Sequence, residues 1–262
     1  MDSFDIIRSP RNAKLKVASA VGQGRDRTRF LIEGVRVLGE ALALNLKFDW
    51  VLFDAERRDE RLLGLLSMAQ GKGVACVPCD SRLLKEIGDL DSPSGVLAVA
   101  SRPSCNLEEV LEGANLVVVA AGIQDPGNLG AIVRVSAGLG ADAVITFAGG
   151  ASLFHPRAIR SASCSTFRIP VVDKVRAEDF FVVAAAKGFS CWATALSGED
   201  FCDSRLETPT ALLLGAEGHG LEKDFLTKCD KVLAIPLSRN VESLNVASAA
   251  AVFIYNLKKK LT

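Results

Sequence analysis

Three times after Asn115 this chain repeats one pattern, and the repetition leaves few folds open to it: an apolar run of strand length, a polar loop, then a stretch of helical length. The runs are Leu116 to Ala120, Ala211 to Leu214 and Val232 to Pro236. The loops behind them are Gln124-Asp125-Pro126-Gly127-Asn128, Gly215-Ala216-Glu217-Gly218-His219-Gly220 and Leu237 to Ser243. Helices are expected from Leu129 to about Leu139, from Leu221 to about Lys228, and from the last loop to about Lys259. One more strand, Ala143 to Phe147, follows the Gly140-Ala141-Asp142 turn. Wholly apolar strands separated by helices are buried on both faces, so the expected fold class is α/β with a mostly parallel sheet covered by helices. Ligands of such sheets bind beyond the carboxyl ends of the strands. That is where these three loops lie.

The first hundred residues read as a separate, smaller α/β unit. Strands are expected at Trp50 to Asp54, Val74 to Val77 and Gly95 to Ala100, with helices at Glu60 to Gln70 and Ser81 to Glu86. Its opening stretch is basic: Arg8, Arg11, Lys14, Lys16, Arg25, Arg27, Arg29 and Arg36 stand against Asp26 and Glu33. Ser101-Arg102-Pro103-Ser104 breaks the pattern, and a short helix is expected at Leu107 to Leu111. The expected division is a first domain over 1–101, a linker over 102–114 and a second domain over 115–262. A length of 262 residues accommodates two domains.

Charge argues against a protein that works by bulk electrostatics, since 31 basic residues meet 31 acidic ones; a local basic patch remains compatible with that balance. No apolar run approaches the ~18–20 residues of a membrane helix. Met1-Asp2-Ser3-Phe4-Asp5 is acidic with no apolar stretch behind it, unlike a secretory or transit segment. The seven cysteines are odd in number and scattered, which suits reduced thiols. A cytoplasmic protein is therefore expected. Cys76-Val-Pro-Cys79 has CxxC spacing, but the two histidines, His155 and His219, lie far along the chain. The pair reads as a buried strand end, and no metal site is expected.

Each loop has an ordinary structural reading when taken alone. Asn128 stands where a helix N-cap is expected, and Arg134, about 1.7 turns further on, could be a solvated arginine. The second loop is neither the G-x-G-x-x-G dinucleotide fingerprint nor a P-loop. Its glycines let backbone approach a bulky ligand and leave one carboxylate, Glu217, among them, while His219 reads as a surface histidine. In the third stretch Ser243 or Asn245 can cap the final helix, whose first turns hold mainly small residues, Ala247 to Ala251.

Together and in this order, N-x-G-x-x-x-R, L-x-G-x-E-G-x-G-L and I-P-x with S-L-N-V-A-x-A resemble motifs one, two and three of the SpoU (TrmH-like) branch of the SPOUT RNA methyltransferases. The first part also resembles that family's N-terminal RNA-binding domain, through Ile7-x-Ser9 with Asn12 and Lys14 and through Phe30-Leu31-Ile32-Glu33-Gly34. The resemblance implies a trefoil knot in the second domain, around Gly215 to Leu221 and Ile235 to Asn245, with the last helix threaded through. It implies S-adenosylmethionine as cofactor, held at Leu214, Gly215, Ala216, Glu217, Gly218, Ile235, Leu237, Leu244 and Asn245. The implied catalytic set is Arg134, Asn128, Glu217, Ser243 and Asn245. A guanidinium is essentially always protonated, so Arg134 is better suited to hold a phosphate or a developing alkoxide than to act as the base the family is often given. Arg8, Lys14, Lys16, Arg25 and Arg29 would contact RNA phosphates, and a homodimer is implied.

One segment departs from the pattern. Family members often carry a Ser-x-Gly pair ahead of an aromatic-x-φ-Pro ending; here Ala162 and Cys164 take those places in Ser161 to Pro170. The expected function is 2′-O-ribose methylation of structured RNA, most simply large-subunit rRNA. A tRNA ribose methyltransferase and a non-enzymatic ribosome-assembly factor are the alternatives, and a dinucleotide-dependent oxidoreductase lacks its fingerprint.

Overall fold

A computed structural model of the chain describes residues 5–88, 94–201, 208–239 and 242–259. Val241 of the third motif and the first four residues of the N-terminal reading lie outside the described residues. The chain divides into two compact units, Met1–Pro103 with Phe154–Cys164, and Ser104–Leu153 with Ser165–Thr262.

The first unit opens with α1 (Ala13–Gly22), β1 (Arg29–Glu33), α2 (Val35–Ala43), β2 (Phe48–Asp54), α3 (Glu60–Gly71), β3 (Cys76–Cys79), α4 (Ser81–Ile87) and β4 (Val96–Ser101). Side-chain caps start three of its helices: Asn12, Asp59 and Asp80 accept from the amides of Lys14, Leu62 and Arg82. Its sheet runs β1-β4-β2-β3, with β4 antiparallel to β1 and β2, and β3 parallel to β2. Pro78 is tolerated because β3 is an edge strand. β3 begins two residues later than the expected Val74, because Gly73, at φ +77°, and the bond from the Val74 amide to the Ala69 carbonyl close the end of α3. Leu15, Ala18 and Val21 of α1 join Leu31, Trp50, Leu52 and Val99 in one core.

The second unit continues with α5 (Leu107–Leu111), β5 (Leu116–Ala120), α6 (Pro126–Gly138) and β6 (Ala143–Phe147). Next comes α7 (Pro156–Ser161), which packs with the first unit. A 3₁₀ turn (Ser165–Phe167), β7 (Val171–Val175), α8 (Ala177–Ala186), β8 (Ser190–Asp200), β9 (Thr210–Leu214), α9 (Lys223–Leu226), β10 (Lys231–Ala234) and α10 (Val246–Lys259) complete it. Its six strands lie in the order β10-β8-β9-β5-β6-β7, and every neighbouring pair is parallel. Every residue of β5, β6 and β9 is buried, as the apolar runs predict. α5 and α8 cover the face carrying Val117, Val119, Ile145 and Leu213, while α6 and α10 pack on each other. Among the described residues no helix is long and apolar enough to cross a membrane.

The chain leaves β5 toward β6 and β7 on one side, then returns to lay β8 and β9 on the other, so the order reverses between β5 and β9. A crevice opens at such a switch point, beyond the strand ends. The loops that follow β5 and β9 flank it.

Within the first unit α7 rests on β1, where Arg160 pairs with the buried carboxylate of Glu33 at 2.8 Å. Phe154 meets Phe30 at 5.8 Å between ring centroids and lies under the Arg102 guanidinium at 4.8 Å. Where the family often has glycine, Cys164 takes φ +57°, and Ser163 beside it takes +46°. These left-handed conformations cost a non-glycine residue about 1–2 kcal/mol each. The Cys164 thiol, fully buried, donates to the Val37 carbonyl at 3.6 Å.

Candidate active site

Asp125, not Asn128, caps α6. Pro126 fixes φ at the first helical position, the helix starts three residues before the expected Leu129, and an Asp125 carboxylate oxygen accepts from the Asn128 amide at 3.0 Å. The Asn128 side chain is therefore released from capping. Its Nδ2 donates to Glu217 Oε1, and its Oδ1 accepts from Asn245 Nδ2 at 3.0 Å. Asn245 is itself the cap of α10, its Oδ1 accepting from the amides of Ala247 at 3.0 Å and Ser248 at 3.4 Å. One residue from each of the three loops thus joins a single hydrogen-bonded row.

The turn after β9 is closed by two bonds, Ala216 N–H to the Gly220 carbonyl at 3.1 Å and Gly220 N–H to the Ala216 carbonyl at 2.8 Å. Gly215 is required by this closure: a Cβ there would sit 2.3 Å from the Gly220 carbonyl carbon. Gly218 turns the loop at φ +81° and faces open space. The helix expected from Leu221 to Lys228 is reduced to the four residues of α9, because the closed turn delays its start.

These loops line a cleft of about 540 Å³. All the residues expected to hold cofactor line it: Leu214, Gly215, Ala216, Glu217, Gly218, Ile235, Leu237, Leu244 and Asn245. Asn128 and Ser243, two of the expected catalytic residues, also reach it. Arg134 does not; it is exposed on α6, and among the described residues no side chain pairs with it. His219 is exposed, as its surface reading implies. Sequence reasoning missed Thr194, Ala195 and Leu196, which line the cleft from β8, and Ala249 and Phe253, which line it from α10. The apolar run Cys191-Trp192-Ala193 was the available signal for β8.

Leu214, Leu233, Ile235, Leu237, Leu244 and Phe253 provide apolar walls, and Glu217 is a carboxylate at the rim. The volume lies in the usual range for small-molecule sites, about 300–1,000 Å³. Apolar walls suit a purine ring, glycine backbone permits close approach, and the carboxylate suits a cation. The residues present therefore fit a cationic nucleoside such as S-adenosylmethionine.

The basic residues of the first unit fall into two groups. Arg8, Lys16 and Arg25 are exposed. Lys14 is half-buried with its ammonium 5.7 Å from the Trp50 ring centroid. Arg29 is held by Asp26 at 2.7 Å and Asp49 at 3.4 Å. Burial alone would raise the Asp26 carboxyl, but bonds from the Thr28 hydroxyl and amide and from Arg29 outweigh it and bring it down to about 2. Cys76 and Cys79 are buried in β3, where burial pushes both thiols up to about 11.

An all-parallel sheet with a glycine-lined cleft beyond the carboxyl ends of β8, β9 and β10 defines an α/β protein built to hold a nucleotide-like ligand. Residues 115–255 match the SpoU rRNA methylase family, and residues 12–98 match the MRM3-like substrate binding domain. The chain is 33% identical to the 23S rRNA (guanosine(2553)-2′-O)-methyltransferase RlmP of Bacillus subtilis, over 96% of this chain and 98% of that protein. It is 33% identical to the 23S rRNA (guanosine-2′-O-)-methyltransferase RlmB of Ralstonia nicotianae, over 79% and 86% of the two chains. The structure of the SpoU methyltransferase AviRb from Streptomyces viridochromogenes, in complex with AdoMet, superposes with a TM-score of 0.84 at 27% identity, over 96% of this chain and 99% of that one. The chain belongs to the SpoU rRNA methylase family, and it is an RNA methyltransferase.

Proposed function

We propose that this protein transfers a methyl group from S-adenosylmethionine to a ribose 2′-hydroxyl of large-subunit rRNA, working as a cytoplasmic homodimer. The observation that carries this reading is the row Glu217–Asn128–Asn245 at the mouth of a glycine-lined cleft. It joins all three motifs of the family at one place. Relatives aligned along both units of the chain are named as 23S rRNA 2′-O-methyltransferases, which favours rRNA over tRNA.

When bound, the cofactor supplies a methyl carried on a sulfonium, already joined to a good leaving group. The protein's task is positioning. Leu214, Gly215, Ala216, Gly218, Ile235, Leu237 and Leu244, which line the cleft, would hold the cofactor's adenine, ribose and methionine parts. Glu217 orients Asn128, and Asn128 and Asn245 shape the place of the ribose, with Ser243 touching the target nucleotide. Arg134, permanently cationic, holds the target phosphate or stabilises the oxygen as it attacks; the hydroxyl proton leaves to a neighbouring acceptor or water. Membership of the family implies a trefoil knot around Gly215 to Leu221 and Ile235 to Asn245, with the last helix threaded through. Arg8, Lys16 and Arg25 face RNA phosphates, with smaller parts for Lys14 and Arg29.

The test is transfer of labelled methyl from S-adenosylmethionine to unmodified rRNA and tRNA, followed by nuclease digestion and mass spectrometry. A 2′-O-methylated dinucleotide from rRNA is the expected product. The same product from tRNA alone selects the tRNA alternative. Absence of both transfer and cofactor binding selects the non-enzymatic assembly factor.

A further inference from the structure

We infer that Asp173, which lies in none of the three motifs, is a positioning residue for Asn128, an inference that rests on the methyltransferase reading. Asp173 is the middle residue of β7, where the pairing with β6 shifts register between Ile145 and Phe147. The next residue, Lys174, has φ +61°. A bulge of this kind re-aims a side chain. Here Lys174 N–H donates to the buried Thr146 hydroxyl at 2.8 Å, and that hydroxyl donates to Asp173 Oδ1 at 2.9 Å. Asp173 Oδ1 also accepts from the Leu153 amide at 3.0 Å, and Oδ2 accepts from the Ser152 hydroxyl at 2.6 Å. One carboxylate thereby ties two strands to the loop that follows β6.

That loop is pressed on the segment leading to Asn128. Ala151 N–H donates to the Ile123 carbonyl at 2.8 Å, and Gln124 Nε2 donates to the Gly149 carbonyl at 3.0 Å. A Cβ on Gly150 would lie 2.9 Å from the Ile123 oxygen, so the two backbones meet with no room for a side chain. Gln124 is followed directly by Asp125, the cap of α6, and Asn128 lies in the first turn. Asp173 therefore fixes Ser152 and Leu153, these fix Gly149 to Ala151, and those brace Ile123 to Asn128 from the side opposite Glu217 and Asn245 in the chain of bonds. The bonds that close the turn at Ala216 and Gly220, and those that cap α10 at Asn245, are made within their own segments. Loss of Asp173 is expected to loosen Asn128 while leaving the cofactor loops intact.

The variants are Asp173→Asn, which keeps size but replaces one acceptor oxygen by a donating NH₂, and the milder Ser152→Ala, which removes one bond should Asp173→Asn fail to fold. Hydrogen exchange on the full chain is expected to accelerate at residues 121–129 and 149–154 and to stay unchanged at 210–220. Calorimetric titration with S-adenosylmethionine should show unchanged affinity and stoichiometry. Turnover per bound cofactor on rRNA should fall about tenfold for Asp173→Asn, since small misplacements far from the chemistry carry penalties of this order or greater. The double variant should fall no further than Asp173→Asn alone, because the two share a bond. Unchanged exchange at 121–129 overturns the inference whether or not the wild-type protein methylates rRNA. A turnover loss matched by an equal loss of cofactor-binding sites overturns it as well, since that is unfolding. Wild-type protein that binds cofactor and methylates no RNA overturns the methyltransferase reading instead, and the exchange result still decides whether Asp173 braces the loop.

Discussion

Asn245 donates through Nδ2 to Oδ1 of Asn128 at 3.0 Å, across 117 positions of chain. The direction of this bond is fixed by its neighbours. Glu217 accepts from Asn128 Nδ2, so Asn128 turns its NH₂ toward it and its oxygen toward Asn245. Asn245 must then present its own NH₂, which leaves its oxygen for the cap of α10. Asn245→Asp separates the two duties. Asp is as good a cap as Asn and gains from the helix dipole, so thermal stability should be unchanged or slightly raised. The new carboxylate faces the Asn128 oxygen and cannot donate, which should lower methyl transfer by roughly ten- to a hundredfold if the lost bond is worth a few kcal/mol at most. Thermal unfolding and turnover measured on one preparation check both halves; full activity in this variant removes the row from the catalytic machinery.

Arg134 tests a different link, from an exposed side chain to the reacting oxygen. It does not line the cofactor cleft. Arg134→Ala should therefore leave affinity for S-adenosylmethionine within about twofold and stability within about 0.5 kcal/mol, as for other surface substitutions. Methylation should be lost. Arg134→Lys should restore little, because a lysine lacks the planar fork that grips phosphate at two points. Near-normal turnover of Arg134→Ala would sink its assignment.

The strands that carry the site were legible because β5, β6 and β9 are buried on both faces and consist of unbroken apolar runs. The short helix Leu107–Leu111 was legible from the same alternation. β7 and β8 were not. Val171-Val172-Asp173-Lys174-Val175 is interrupted by two charged residues at a register shift, where the Lys174 amide turns to the Thr146 hydroxyl. β8 runs on through Leu196-Ser197-Gly198-Glu199-Asp200, a stretch that reads as a polar loop; it is a strand because β10 pairs beside it, with Gly198 packed against the backbone of Val232 and Leu233. At the site, the three motifs carried the residue identities. The capping of α6 was misread because Asp125 and Asn128 are both good caps, and Pro126 between them decides the register.

Among the described residues two hydroxyls lie buried without a hydrogen-bond partner, Ser136 of α6 and Thr166 of the 3₁₀ turn, two elements that pack on each other. A buried polar group with no partner has lost its hydration for nothing, a loss of about 1–3 kcal/mol. Ser136→Ala removes the hydroxyl and improves helix propensity, and Thr166→Val removes it at nearly constant shape. Each should raise the midpoint of thermal unfolding by a few degrees, taking about 1 kcal/mol as the gain. A lowered midpoint in both would mean that the hydroxyls hold a buried water between them.

The two groups of basic residues predict different salt behaviour. An exposed cation that neutralises a phosphate releases counterions, and its removal flattens the dependence of log affinity on log salt by about 0.7–1 per residue. Arg8→Ala, Lys16→Ala and Arg25→Ala should each do this in binding of an rRNA fragment measured by fluorescence anisotropy from low to moderate salt. Arg29 is already compensated by Asp26 and Asp49, with Asp26 held down to about 2 and so ionised throughout the physiological range. Arg29→Gln should therefore leave the slope nearly unchanged, and its effect should fall on stability, through two carboxylates that have lost their partner. The distinction rests on geometry and not on sequence, since Arg25 and Arg29 lie four positions apart in the same basic stretch. Equal slopes for the Arg25 and Arg29 variants would show that RNA displaces Asp26 and Asp49 and takes Arg29 for itself.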